Sequence, residues 1–207
     1  MRQILLFLLA ITVITNSLNF SQTKENKNTA LLIIDIQNDY FENGSMRLTG
    51  SEQASMNAKL ILEKFRTSKL PVIHIQHVAL NPNATFFLLN TKGTEININV
   101  KPLENEKVIV KHYPNSFRET ELLNYLKEKH ITDLVICGMM THMCVDATVR
   151  AAKDLGFTIT LIGDACATRD LEINGEKVNA AEVQKAFLAA LNFTYAGIVT
   201  AKQYLEK

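Results

Sequence analysis

Asp35, Lys111 and Cys144 come from distant parts of the sequence, and together their side chains can break a bond between a carbonyl carbon and a leaving group. Cys144 is a nucleophile once its thiol loses a proton. It falls just inside a predicted helix over 141–155. Unpaired N–H groups and the helix dipole there would lower the thiol pKa and offer donors to an oxyanion. Asp35 interrupts the apolar run 31–36. A carboxylate in such a run is costly to bury without a partner, and burial generally favours the protonated carboxyl, which suits a general base. Lys111 closes a short predicted strand and would balance the charge of a thiolate or of Asp35. Each residue alone also has a structural reading: a packed cysteine, a carboxylate capping backbone, a solvated lysine. Acting together, they specify a sequence of steps. Asp35 takes the thiol proton, Cys144 attacks a carbonyl carbon and backbone N–H groups hold the oxyanion. Asp35 then protonates the leaving amine, and water activated by the same carboxylate releases the acid from a thioester. This chemistry calls for no metal and no cofactor.

The elements that must position these groups can be read from periodicity. The continuous apolar run 31–36 suits a strand buried on both faces. Further strands are expected over 72–78, 108–111, 133–138, 157–162 and 198–199. Residues 51–68 read as an amphipathic helix with Ala54, Ala58, Ile61, Leu62 and Phe65 on one side. Helices are also expected over 119–129, 141–155 and 178–192, followed by a polar end. Alternating strands and helices with short connections imply an α/β parallel sheet covered on both faces. Ligands collect at the carboxyl ends of such strands, where Asp35, Lys111 and the 138–144 connection all fall. The irregular stretch 79–106 holds Asn81, Pro82, Asn83, Gly93 and Pro102. Its length points to function, as a pocket-shaping segment.

Composition narrows the partners. Lys and Arg number 22 against 21 Asp and Glu, with no basic stripe, so nucleic acid is not an expected partner. Arg2 followed by the apolar run 4–14 and a polar stretch has the layout of a secretory signal peptide. The run is shorter than the about 20 residues a bilayer span needs. The expected organisation is a signal over 1–21, a linker over 22–29 and one domain over 30–207. The mature chain would be exported, periplasmic or secreted, with no stable membrane span; without a working signal it would stay cytoplasmic. Of the three cysteines, Cys137 and Cys166 read as small buried residues. An odd count leaves at least one thiol unpaired within a monomer, and the spacing fits no zinc set.

Four segments resemble the isochorismatase-like hydrolase superfamily. They are Leu32–Tyr40 (LIIDIQNDY), Lys111 with Asn115-Ser116-Phe117, Gly138–Arg150 (GMMTHMCVDATVR) and Asp164–Thr168 (DACAT). The similarity runs in the family's order from about residue 30 to 200. It implies a three-layer α/β/α fold with a six-stranded parallel sheet in Rossmann-like order, and the triad Asp35, Lys111 and Cys144. It also implies a cis peptide at Met139–Met140 that aims the Met140 N–H, with that of Cys144, at the oxyanion. Homo-oligomers are common in the family. Its members act on small molecules and include nicotinamidases, carbamoyl amidases, ureido-amide hydrolases and isochorismatases. Isochorismatases cleave a vinyl ether and can lack the cysteine, so Cys144 favours a C–N bond in a small amide, ureide or carbamoyl compound. Nicotinamidases carry an Asp-x-His plus a further His as a metal site after the first strand. Here His74 and His77 share the second strand, with no further histidine before His112.

Other residues are candidates for substrate contact. His77 ends the second strand, His142 opens the catalytic helix, Phe86 and Phe87 could form an apolar wall, and Asn38 could bond substrate or hold its loop. Asp146 and Arg150 are one helical turn apart and read as a structural pair. Two alternatives to amide hydrolysis are an isochorismatase-type vinyl ether hydrolase and a non-catalytic binding protein on the same fold.

Overall fold

The computed structural model describes residues 28–206. The expected signal over 1–21 and most of the expected linker lie outside them. No helix among the described residues is long and apolar enough to cross a membrane.

Six parallel strands form the centre: β1 (Thr29–Ile34), β2 (Val72–His77), β3 (Lys107–Lys111), β4 (Asp133–Met139), β5 (Thr158–Ala167) and a short strand, Gly197–Val199. Between β5 and that last strand a two-stranded hairpin intervenes, β6 (Leu171–Ile173) and β7 (Glu176–Val178), so the last strand is β8. The sheet order is β3-β2-β1-β4-β5-β8. Growth runs outward in both directions from β1 and β4, as expected for Rossmann-like order, and opens a crevice at the carboxyl edge.

Alternation along the strands sorts the core into two halves. Leu31 and Ile33 face one side with Val135 and Cys137. On that side α1 (Ser51–Thr67) contributes Ala54, Ala58, Ile61, Leu62 and Phe65, and α5 (Ala201–Leu205) adds Ala201. Ala30, Leu32 and Ile34 face the other side, against Leu122 and Leu126 of α2 (Leu122–Glu128), Val149 and Ala152 of α3 (Asp146–Asp154), and Leu191 of α4 (Ala180–Thr194). Cys137 and Cys166 therefore belong to opposite halves of the core, and all three cysteines are free thiols.

The structure corrects several boundaries. The first strand stops at Ile34, and Asp35 follows it with φ 50°. The helix expected over 119–129 begins only at Leu122, after a turn at Glu119 with φ 56°. The helix expected over 141–155 opens as a π-turn over Thr141–Val145, with α3 proper beginning at Asp146. β5 runs five residues past its expected end at 162, to Ala167. Its register with β4 shifts between Ile136 and Gly138, and Gly138 then pairs with Cys166. The β6–β7 hairpin and α5 fall where no element was expected. The hairpin turns on Asn174 (φ 53°) and Gly175 (φ 79°), the two left-handed positions that an Asn-Gly turn supplies.

Candidate active site

The carboxyl edge brings Asp35, Lys111 and Cys144 into contact. Asp35 leaves β1 in a left-handed conformation, which Asp tolerates better than most residues. Its backbone N–H stays bonded to the Ile75 carbonyl, 3.1 Å away. The turn displaces the carboxylate from the strand's alternation, and the residue is fully buried. Lys111 ends β3 and is also fully buried. Cys144 lies in the π-turn after β4, 5% exposed. Ser116 locks the loop after Lys111 to α3, because its N–H donates to Thr148 Oγ1 at 3.0 Å.

The lysine ammonium is the hub. Its Nζ lies 2.7 Å from Asp35 Oδ2, 2.9 Å from His77 Nδ1, 3.0 Å from the Tyr113 carbonyl and 3.2 Å from Cys144 Sγ. Burial works against its charge, but Asp35 and then Cys144 outweigh burial, so the Lys111 pKa is raised. His77 is held near pKa 4 by burial and by the neighbouring ammonium, so it is neutral at physiological pH.

The thiol reverses one expectation. Cys144 has its pKa raised, not lowered: burial is the main cause, Asp35 adds to it, and Lys111 only opposes it in part. The helix-start argument fails because the surrounding site removes water and places a carboxylate nearby. Burial and Asp35 thus both favour the protonated thiol, and ionising it would call for a base. Asp35 is equipped to serve as one. Its contact with Lys111 is short, but neither carboxylate oxygen receives a directed hydrogen bond among the described residues. Such an underserved buried acceptor needs an explanation, and an open lone pair beside a thiol supplies one.

Asp35, His77 and Cys144 each place a ligand-type atom within 4.8 Å of the other two. Those atoms could make a metal set. The Lys111 ammonium already sits among them at 2.7, 2.9 and 3.2 Å and takes the position a cation would need.

The peptide between Met139 and Met140 is cis, and the Met140 carbonyl accepts from the N–H groups of Met143 and Val145, folding the turn that carries Cys144. Of the other candidates, His77 joins the cluster through Lys111. Phe87 lies beside His77 and Tyr40, with ring centroids 5.6 and 4.8 Å away. Phe86 packs one layer out, on Tyr40 and Phe87. Asn38 is engaged elsewhere: its amide donates to the Lys92 carbonyl and accepts from Asn97, which ties down the 79–106 segment. His142 points toward β5, with Nδ1 2.6 Å from Thr168 Oγ1 and its ring edge-on to Phe187. Asp146 and Arg150 do pair, at 2.9 Å.

Two residues of the first motif had been given no role. Gln37, fully buried, brackets His77: its Oε1 accepts from the His77 N–H at 2.7 Å and its Nε2 donates to the His77 carbonyl at 2.9 Å. Tyr40 is buried with its phenol pKa raised well above normal, first by burial and then by Cys144 and Asp35. A buried glutamine and tyrosine next to an apolar strand are the signal that could have marked them. A cleft of about 600 Å³ opens elsewhere on this edge, between Thr49–Ala54, the end of β5 and the first turns of α4 and α5. None of the three converging side chains lines it, although Asp164 and Cys166 do; the convergence of acid, ammonium and thiol locates the site, not the volume.

The sequence profile of the isochorismatase domain matches residues 29–201. This chain belongs to the isochorismatase family. Within the family it is 51% identical over 178 residues to the isochorismatase family protein YddQ of Bacillus subtilis, covering 86% of this chain and 99% of YddQ. It is 32% identical to the secreted isochorismatase effector Isc1 of Verticillium dahliae, covering 87% of this chain and 92% of Isc1. A crystal structure of an isochorismatase hydrolase from Oleispira antarctica superposes with a TM-score of 0.84 at 45% identity, covering 87% of this chain and 97% of that one. The six-stranded α/β fold is thus the isochorismatase-like one, and the chain is a hydrolase acting on small molecules.

Proposed function

We propose that this isochorismatase-family hydrolase cleaves a C–N bond of a small amide, ureide or carbamoyl compound through a thioester on Cys144. The observation that carries the reading is a buried thiol in contact with an ammonium, beside a buried carboxylate that is ion-paired to the same ammonium and receives no directed hydrogen bond. Asp35 accepts the Sγ proton as sulfur attacks the carbonyl carbon. The negative charge that develops on the carbonyl oxygen is held by the N–H groups of Met140 and Cys144, and Lys111 stabilises the sulfur's charge before the C–S bond forms. Asp35 then gives its proton to the leaving nitrogen. Water, deprotonated by Asp35, attacks the thioester, and the proton returns to sulfur as the acid leaves. Phe87, Tyr40 and His77 crowd this end of the sheet, which fits a small acyl group.

The test is a panel of small amides, ureides and carbamoyl compounds assayed for ammonia or carbon dioxide. Turnover should vanish in Cys144→Ala, by on the order of 10⁴-fold or more, while the fold survives. Full activity in that variant would refute the thioester route. The name of the Verticillium relative favours a second reading, vinyl ether cleavage. That chemistry would tolerate loss of the thiol but not of Asp35. The apolar N-terminal run and the same relative's secretion support a place of action outside the cytoplasm.

A further inference from the structure

Lys111 reaches its carboxylate from two strands away. In the sheet, β2 separates β3 from β1, and neighbouring strands lie about 4.8 Å apart. The residue of β2 in register with Lys111 is His77, so the lysine must pass the histidine to reach Asp35. At its tip are three N–H bonds and four acceptors. The contacts to His77 Nδ1 (2.9 Å), the Tyr113 carbonyl (3.0 Å) and Cys144 Sγ (3.2 Å) are directed hydrogen bonds. The contact to Asp35 Oδ2, 2.7 Å, is an ion pair without the geometry of a directed hydrogen bond. An ammonium cannot accept, so His77 Nδ1 carries no proton and the ring is the neutral Nε2–H tautomer. The ring is also held in place: Gln37 clamps the backbone on both sides of it, and Phe87 lies 5.6 Å from it.

We infer that His77 is a positioning residue: it holds Lys111 so that one N–H faces the Cys144 sulfur and the Asp35 lone pairs stay open for the thiol proton. The inference rests on the proposed roles of Cys144 as nucleophile and Asp35 as base. His77 and the Tyr113 carbonyl occupy two of the three N–H bonds. Neither carries charge, so neither competes with sulfur for the ammonium as a carboxylate would. When the proton passes from Sγ to Asp35, the third N–H already faces the new thiolate. Without an acceptor at position 77, the freed N–H turns to the nearest underserved acceptor, which is Asp35. A carboxylate bonded in that way favours its charged form and takes the thiol proton less readily.

Alkylation of Cys144 by iodoacetamide at pH 8, followed by peptide mass spectrometry, tests this without a substrate. In His77→Asn the side-chain Oδ1 can stand where Nδ1 stood, and the rate should stay within about threefold of wild type. In His77→Leu it should fall about tenfold, equivalent to one pKa unit. Loosened packing alone would expose the sulfur and raise the rate, so a purely structural role predicts the opposite sign. A His77→Leu rate equal to or above wild type, a His77→Asn rate as low as that of His77→Leu, or no Cys144 labelling in the folded wild type would each overturn the inference. The wild-type chain gives a second readout that needs no variant. Imidazole ¹⁵N spectra must show His77 as the Nε2–H tautomer at neutral pH, and an Nδ1–H tautomer or an imidazolium would overturn it equally. If no amide is hydrolysed, the proposed function fails while both of these measurements still stand.

Discussion

Removing the charge of Lys111 while keeping its bulk isolates what the buried ion pair does for the fold. Nζ and Asp35 Oδ2 are 2.7 Å apart with both side chains fully buried. At an effective dielectric of about 20 their attraction is about 6 kcal/mol, offset by the cost of taking both ions out of water. The pair's net worth against apolar groups is therefore small. Lys111→Met alone is different, because it leaves the Asp35 charge buried with no counter-charge, and such a break costs about 3–5 kcal/mol. That is a large part of an ordinary stability of about 5–15 kcal/mol, and would lower Tm by about 6–20 °C for a domain of this size. Asp35→Asn should cost a similar amount, since it strands the ammonium. The double variant should cost at least about 2 kcal/mol less than the sum of the two. Urea denaturation of all four proteins, with m compared across the set, measures the coupling. Penalties that add within about 0.5 kcal/mol would refute the reasoning.

Three further outcomes are expected. Gly138→Ala should destabilise the fold by more than about 4 kcal/mol, because Gly138 has φ 144° and a Cβ there would run into the Ile34 carbonyl oxygen beside Asp35; a thermal melt within 2–3 °C of wild type would contradict this. Glu106 receives hydrogen bonds from Arg66, His74 and the Leu103 N–H, and its pKa falls to about 2 because these donors outweigh the opposing effect of burial. Its folded pKa lies below the unfolded value of about 4.3, so its stabilisation is complete above that value and fades as pH drops toward about 2; Glu106→Gln should be less stable at pH 7 and lose less stability than wild type between pH 5 and pH 3. Finally, cell fractionation with intact-mass measurement should find a chain exported and shortened by about 21 residues; a full-length cytoplasmic product would remove the case for export.

The strands were readable because buried parallel strands leave largely apolar runs, as over 31–36 and 133–138; their order came only with the family resemblance. Asp35 and Lys111 were readable for a related reason, since each breaks or ends an apolar segment at the same edge, and Cys144 was readable from its place just inside the helix that follows the fourth strand. The details that set their chemistry were not. Periodicity places Cys144 in a helix, but it cannot distinguish a π-turn from an α-turn over five residues, and only the folded neighbours reveal a thiol raised by burial. Nor could spacing reveal that His77 lies between Lys111 and Asp35, because that depends on strand order as well as strand identity. Other misses were avoidable. Asn174-Gly175 is a strong hairpin signal, and Thr200 with Gln203 forms the capping box that starts α5. Both were hidden by elements of three to five residues, too short for a periodic pattern.

The proposed export conflicts at first sight with the proposed reactive cysteine, since thiolates outside the cytoplasm are prone to oxidation and mispairing. The electrostatics of the site remove most of the conflict. Oxidation and disulfide exchange follow the thiolate fraction and its exposure, and Cys144 is 5% exposed with its pKa raised by burial and Asp35. Cys166 is likewise buried and raised to about 12 by burial, and Cys137 is raised well above its ordinary value by the same cause. Cys137 and Cys166 face opposite halves of the core and so do not form a pair. A low-pKa thiolate would be the faster nucleophile toward any electrophile; under the proposed mechanism, a thiol that ionises only when Asp35 takes its proton would react where an acyl carbon is already in place. The same burial that slows damage therefore makes the nucleophile depend on the base. In this site Asp35→Asn should slow Cys144 alkylation below neutral pH as much as it slows turnover. An Asp35→Asn enzyme that alkylated at the wild-type rate there would show that the thiol ionises on its own, and the protection argument would fail with it.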